Sequence, residues 1–224
     1  MEKQGLVFGK DMKLSDKYEN VIWDWNGTLL NDVKVGVDTL NDMLDRRELP
    51  LLTVQQYKDL FEFPVIRFYQ RVGFDLVKES FHELSVDFVS TYDKYAGGIA
   101  LNPFVQEVLI YVRQSGRRQY ILSALREDLL NRMLGEFAID SHFERACGSD
   151  DIYAAGKIER GRRMLETLDI CPAKTVMIGD TVHDAEVARA LGFDCILFAG
   201  GHNSEWRLQE KALVIHSMEE LLER

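Results

Sequence analysis

Four short segments hold the residues whose types and spacing can do chemistry: Asp24-Trp25-Asn26-Gly27-Thr28, Ser123, Gly156-Lys157, and Gly179-Asp180 with Asp184 four residues further on. Carboxylates at Asp24, Asp180 and Asp184 offer the hard oxygen ligands that magnesium prefers. One carboxylate among them can also attack phosphorus as a nucleophile. The Ser123 hydroxyl and the following Ala124 amide are donors for phosphoryl oxygens, and Lys157 is a fixed positive charge that offsets the anions. Each piece has an ordinary alternative: a strand-end aspartate in a turn, a threonine serving that turn, a serine capping a helix, a solvated lysine, and, for Asp184, a carboxylate stabilising a helix N-terminus. The ordered set, more than any single piece, points to a magnesium-dependent phosphate site.

Such a site must be positioned by regular elements. The apolar run Asn20 to Asp24 reads as a short strand, and Asn26-Gly27 is a turn signal just beyond it. Asp24 is therefore expected at the carboxyl end of a buried strand, where open parallel sheets bind their ligands. From about residue 99 onward helical and strand patterns alternate. Helices are expected at Pro103 to Ser115, Glu127 to Phe137, Ile158 to Leu168 and Asp184 to Leu191, with a short one around Glu205. Strands are expected at Arg118 to Ser123, Arg145 to Gly148, Thr175 to Ile178, Phe193 to Phe198 and Ala212 to Ile215, and the capping box Ser217 to Glu220 opens a last helix. Strands separated by helices imply parallel pairing with right-handed crossovers, hence a doubly wound, Rossmann-like α/β sheet.

Between Asp32 and Gly98 the pattern changes: Val33 to Leu49, Thr53 to Phe61, Pro64 to Val72 and Leu76 to Tyr95 all read as helices, with no convincing strand among them. The expected organisation is an α/β core made of residues 1–32 and 99–224, interrupted by an all-helical cap at 33–98. Gly97-Gly98 marks the return point. A helical cap over the active edge would exclude water and choose substrates.

Composition narrows the function classes. A chain of 224 residues with 46% hydrophobic content buries a substantial core without staples. The formal charge of −10 argues against general binding to nucleic acid or an anionic membrane surface. Met1 to Asn20 shows no hydrophobic signal core, and no uninterrupted apolar stretch is long enough to cross a bilayer, so a soluble, cytoplasmic protein is expected. Cys147, Cys171 and Cys195 lack zinc spacing and are read as reduced, mostly buried thiols.

The ordered motifs resemble those of the haloacid dehalogenase superfamily, in its phosphatase branch similar to phosphoglycolate phosphatases with a helical cap after the first motif. The resemblance runs from Asn20 through most of the chain. It implies that Asp24 is a nucleophile forming an aspartyl-phosphate, that Thr28, Ser123, Ala124 and Lys157 serve the phosphate, and that the partner is a small phosphorylated metabolite. It further implies that Asp24, Asp180 and the main-chain carbonyl of Asn26 hold magnesium, with Asp184 a direct or supporting partner.

One departure stands out. Phosphatases of this superfamily carry, at the position of Asn26, an aspartate that protonates the leaving oxygen and then activates water. An asparagine side chain does neither near neutral pH. Losing such assistance costs about 10²- to 10⁴-fold in rate. Three functional classes follow: a hydrolase favouring good leaving groups or using another proton carrier, with His183 the nearest candidate; a phosphotransferase; and a regulatory protein that binds phosphate with little turnover. Phosphonate hydrolases also lack the second aspartate, but they use a cap lysine, and none of Lys34, Lys58, Lys78 and Lys94 sits in the Phe61 to Pro64 loop expected to face the pocket. Phe63, Pro64, Arg67, Phe68 and Tyr69 are candidates for the cap side of the pocket or, alternatively, a packed helix face. The sequence leaves substrate identity and oligomeric state open.

Overall fold

The computed structural model describes residues 14, 17–150, 152–153 and 156–222. The stretch before Asn20, read above as lacking a signal core, lies almost wholly outside the described residues. In chain order the elements are β1 (Asn20–Trp23), β2 (Leu30–Asn31), α1 (Val33–Asp45), α2 (Val54–Leu60), α3 (Val65–Val72), α4 (Phe81–Tyr95), β3 (Ala100–Leu101), α5 (Val105–Gln114) and β4 (Arg118–Arg126). Then follow α6 (Glu127–Glu136), β5 (Arg145–Ser149), α7 (Lys157–Thr167), β6 (Thr175–Gly179), α8 (Val182–Leu191), β7 (Asp194–Phe198), α9 (Glu205–Gln209) and β8 (Leu213–Ile215).

Six strands form one parallel sheet in the order β5-β4-β1-β6-β7-β8. Alternate residues of each central strand enter different cores, as a sheet covered on both faces requires. Val21, Trp23, Ile121 and Ile178 pack with α5 and α6 on one face, whereas Ile22, Tyr120, Leu122 and Met177 pack with α7 and α8 on the other. From β1 the chain builds outward through β4 and β5, then returns to the opposite side of β1 for β6. The carboxyl ends of β1, β4 and β6 thus flank the point where strand order reverses, the preferred ligand position in open α/β sheets.

The helical cap has its own core of Leu40, Met43, Leu44, Tyr57, Phe68, Tyr69, Phe74 and Leu84. Arg46 and Arg47, just past the end of α1, lace it to α4 by pairing with Asp87, and Arg47 also takes Glu79. Phe68 and Tyr69 belong to this packed face, Arg67 and Pro64 are exposed, and Phe63 stacks on His183, which lies between Asp180 and Asp184 in sequence.

Several boundaries differ from expectation. The helix expected from Leu76 starts at Phe81, because Ser80 and Glu83 close a capping box there. Strand β4 runs on to Arg126, and the terminal helix is a single 3₁₀ turn, Met218–Leu221. The antiparallel pair β2–β3, where the chain leaves and re-enters the core, is too short for any periodicity to announce. The cysteines are free, but they are not buried: Cys171 is exposed in the turn before Pro172, and Cys147 and Cys195 are intermediate. Among the described residues no helix is long and apolar enough to cross a membrane.

Candidate active site

Strand β1 ends by donating the Asp24 amide to the Ile178 carbonyl of β6 at 2.8 Å, which aims the Asp24 side chain out of the sheet's carboxyl edge. The following turn is held by Gly27 at φ +73°, where a Cβ would lie 2.4 Å from the Asp180 carboxylate. Only glycine tolerates that approach and that dihedral. Thr28 then donates its hydroxyl to Asp180 Oδ1 at 2.8 Å, and Asn102 donates to the Thr28 carbonyl.

Lys157 is the first residue of α7, a place where the helix dipole disfavours a cation. It is nevertheless buried, with its ammonium 2.8 Å from Asp24 and 2.6 Å from Asp184. Burial opposes its charge, but Asp184 and Asp24 outweigh burial and raise its pKa. Burial, with Asp184 beside it, pushes Asp24 up to about 8 against the pull of Lys157. Burial likewise lifts Asp180 to about 6.

One oxygen from each of Asp24, Asp180 and Asp184 falls within 4.8 Å of the others. A carboxylate has about four lone-pair positions, and their use separates the three. Asp184 is the most committed, taking the Asp180 and Thr181 amides and the Thr181 hydroxyl on Oδ2 and Lys157 on Oδ1. Asp180 accepts from Thr28 and from the His202 amide, and Asp24 accepts from Lys157, so both retain capacity. With all three ionised, the carboxylates against one ammonium carry two negative charges, which suits a divalent cation. The donor set therefore fits magnesium, with Asp24 and Asp180 the least committed carboxylates and Asp184 also fixing Lys157 and the 180–181 turn.

Ser123 is buried in β4 near this edge. Its hydroxyl accepts from the Leu125 amide, and α6 begins with Arg126 at its N-cap, so Ser123 is not the helix cap that the ordinary reading supposed. Its carbonyl accepts from Arg160, one turn beyond Lys157. Ala124, half-buried, follows it.

The Asn26 amide turns away from Asp24 and donates to Asp32 Oδ2 at 2.7 Å. Asp32 also accepts from the Gly27 amide, the Tyr92 hydroxyl of α4 and His202 Nε2. His202 Nδ1 in turn meets the Tyr57 hydroxyl of α2 at 3.0 Å. Burial opposes charge on His202, yet Asp32, then Asp180 and Asp24, hold its pKa at about 9. His183, the nearest candidate by sequence for another proton carrier, stacks its ring on Phe63 at 4.7 Å, and burial and Lys157 lower its pKa. Sequence reasoning missed Asp32, His202 and the two tyrosines. The available signal was Gly200-Gly201 after an apolar strand, since a Cβ on Gly201 would lie 2.2 Å from Asp180.

The cap meets the core along α2. Lys58 donates to the Ala199 carbonyl, Asp59 accepts from Ser204 and Trp206, and the Phe61 carbonyl accepts from Asn203 and Arg207. The remaining cap lysines pair with nearby acids: Lys34 with Asp38, Lys78 with Asp75 and Lys94 with Asp42.

A family model described as haloacid dehalogenase-like hydrolase matches residues 21–198, from the first motif to the end of β7. The chain belongs to the haloacid dehalogenase-like hydrolases. Within the matched segment Asp24, Lys157, Asp180 and Asp184 lie together in space. It is similar to tyrosine-protein kinase PtkA of Mycobacterium tuberculosis, 27% identical over 81% of this chain and 62% of that protein. This chain therefore spans less than two thirds of that relative's length. It is also similar to a phosphoglycolate phosphatase of Caulobacter vibrioides, 28% identical over 88% of this chain and 86% of the relative. The solved structure of M. tuberculosis PtkA shares the fold with a TM-score of 0.76 at 22% identity, over 92% of this chain and 97% of that one.

Proposed function

We propose that this haloacid dehalogenase-like hydrolase is a magnesium-dependent phosphatase of small phosphorylated metabolites, working through an aspartyl-phosphate on Asp24. The observation that carries the reading is the Lys157 ammonium held between Asp24 and Asp184, with Asp180 alongside. In this reading Asp24 attacks phosphorus, the bond to the leaving oxygen breaks, and water later releases phosphate from Asp24. Lys157 offsets charge on the transferring phosphoryl group, while Ser123 and the Ala124 amide donate to its oxygens. Magnesium, held by Asp24, Asp180 and the Asn26 main-chain carbonyl, would supply further charge neutralisation.

Asn26 contributes its carbonyl and an amide tie to Asp32, and no proton. Substrates with good leaving groups, acyl phosphates or phosphoanhydrides, suit such a site. Phosphate release from a panel of phosphomonoesters, acyl phosphates and phosphoanhydrides, with and without magnesium and with Asp24→Asn as the blank, tests the reading. Release that persists in the blank would end it.

Phosphotransfer is the second reading, favoured by the missing acid–base group at Asn26 and by the similarity to a protein named a tyrosine kinase. A phosphoenzyme slow to meet water would pass its phosphoryl group to an acceptor hydroxyl. Phosphate moved from donor to acceptor without equivalent free phosphate would identify it.

A further inference from the structure

Asp32 occupies the N-cap position of α1, a place where aspartate normally bonds the first helical amides, yet its side chain makes no cap bond. It turns inward, where its two oxygens gather donors from two parts of the molecule. The Gly27 amide and Asn26 side chain, both at 2.7 Å, come from the turn that follows Asp24. Tyr92, at 3.0 Å, comes from the cap helix α4. His202 joins at 3.2 Å and carries the connection onward, its main-chain amide 2.6 Å from Asp180 Oδ2 and its ring against Tyr57 of α2. Asp32 and His202 are almost fully buried. In this closed ring two cap hydroxyls touch the acid and the imidazole that hold the nucleophile turn and Asp180.

We propose that Asp32 and His202 are positioning residues that convert the seating of cap residues Tyr57 and Tyr92 into a fixed geometry of the Asn26–Gly27 turn and of Asp180. Asn26 is then the amide donor of this assembly. The assignment rests on the reading of Asp24 as nucleophile, but its core claim, that cap hydroxyls order the 25–30 loop, stands apart from any substrate.

The test is site-resolved hydrogen exchange on the full chain, in wild type, Tyr57→Phe, Tyr92→Phe and the double variant, with kcat and KM measured in parallel. Each substitution removes one oxygen and keeps the ring that packs the cap. Losing a hydrogen bond to a charged group should speed amide exchange across residues 25–30 by about tenfold, while α1 and β4 keep their wild-type protection. With a working substrate, kcat should fall by a similar factor of about ten, and KM should stay within about twofold. Unchanged exchange at 25–30, or a rise spread evenly over the protein, would overturn the proposal. If no variant or wild type releases phosphate above the Asp24→Asn blank, the proposed function fails while the exchange data still decide the coupling.

Discussion

The Asn26 side-chain amide donates to Asp32 across 2.7 Å, and Asp32 has no free lone pair with which to accommodate a change. An aspartate at position 26 would set two carboxylates face to face, and such pairs retain a proton between them. Asn26→Asp alone should therefore raise phosphate release by less than about threefold, well short of the usual acid–base contribution. Asn26→Asp combined with Asp32→Asn reverses the polarity: the amide introduced at position 32 donates to the new carboxylate and to the Tyr92 oxygen, while its carbonyl keeps Gly27 and His202. That double variant should gain about 10²-fold. Equal rates for the single and double variants would show that the tie to Asp32 does not govern position 26.

The Lys157 ammonium sits between Asp24 and Asp184. Lys157→Met should lower kcat by about 10²- to 10³-fold, the usual cost of removing a transition-state donor. Lys157→Arg should rescue little, because a planar guanidinium cannot occupy a point-charge site between two carboxylates. Steady-state rates against the Asp24→Asn blank check both.

The pKa of His202 is held at about 9 in the folded protein against an ordinary 6.5. A raised folded pKa gives stability that is complete below the unfolded value and lost as pH rises through the folded one. The stability advantage of wild type over His202→Gln should thus be largest below pH 6.5 and shrink between 6.5 and 9, by roughly 3 kcal/mol. Urea unfolding with a chelator present, at several pH values, gives the difference directly. An advantage that grows with pH would mean a neutral ring.

Magnesium should raise the melting temperature of wild type, and saturation at about 100 times Kd is worth about 2.7 kcal/mol. Asp180→Asn should abolish that increment, because Asp180 keeps lone pairs for the ion. Asp184→Asn should retain part of it while losing the Lys157 anchor and hence most turnover. Calorimetry of the three proteins with and without magnesium separates the roles, and an identical loss in both variants would make Asp184 a ligand too.

Much of the fold was legible because each device had a local signature. Alternating apolar runs and amphipathic helices marked the doubly wound sheet, and Asn26-Gly27 marked the turn that exposes Asp24. Lys157 was legible only by its order among the motifs, since nothing local distinguishes a buried lysine from a solvated one. Asp32 and His202 stand 170 residues apart, and neither carries a pattern of its own. A helix-start aspartate reads as a cap, and a histidine after two glycines reads as loop. His183 was a candidate only by its closeness to Asp180 in sequence, and sequence could not foresee that its ring stacks on the cap's Phe63.

Helix α2 is counted with the cap by chain order, yet Lys58, Asp59 and Phe61 are bonded to the segment from Ala199 to Arg207 on the other side of the seam. Grafting this cap onto another core, or another cap onto this one, would strand those partners unless residues 199–207 travelled with it. The bonding partners of the helical insertion thus include a loop more than a hundred residues away in the chain.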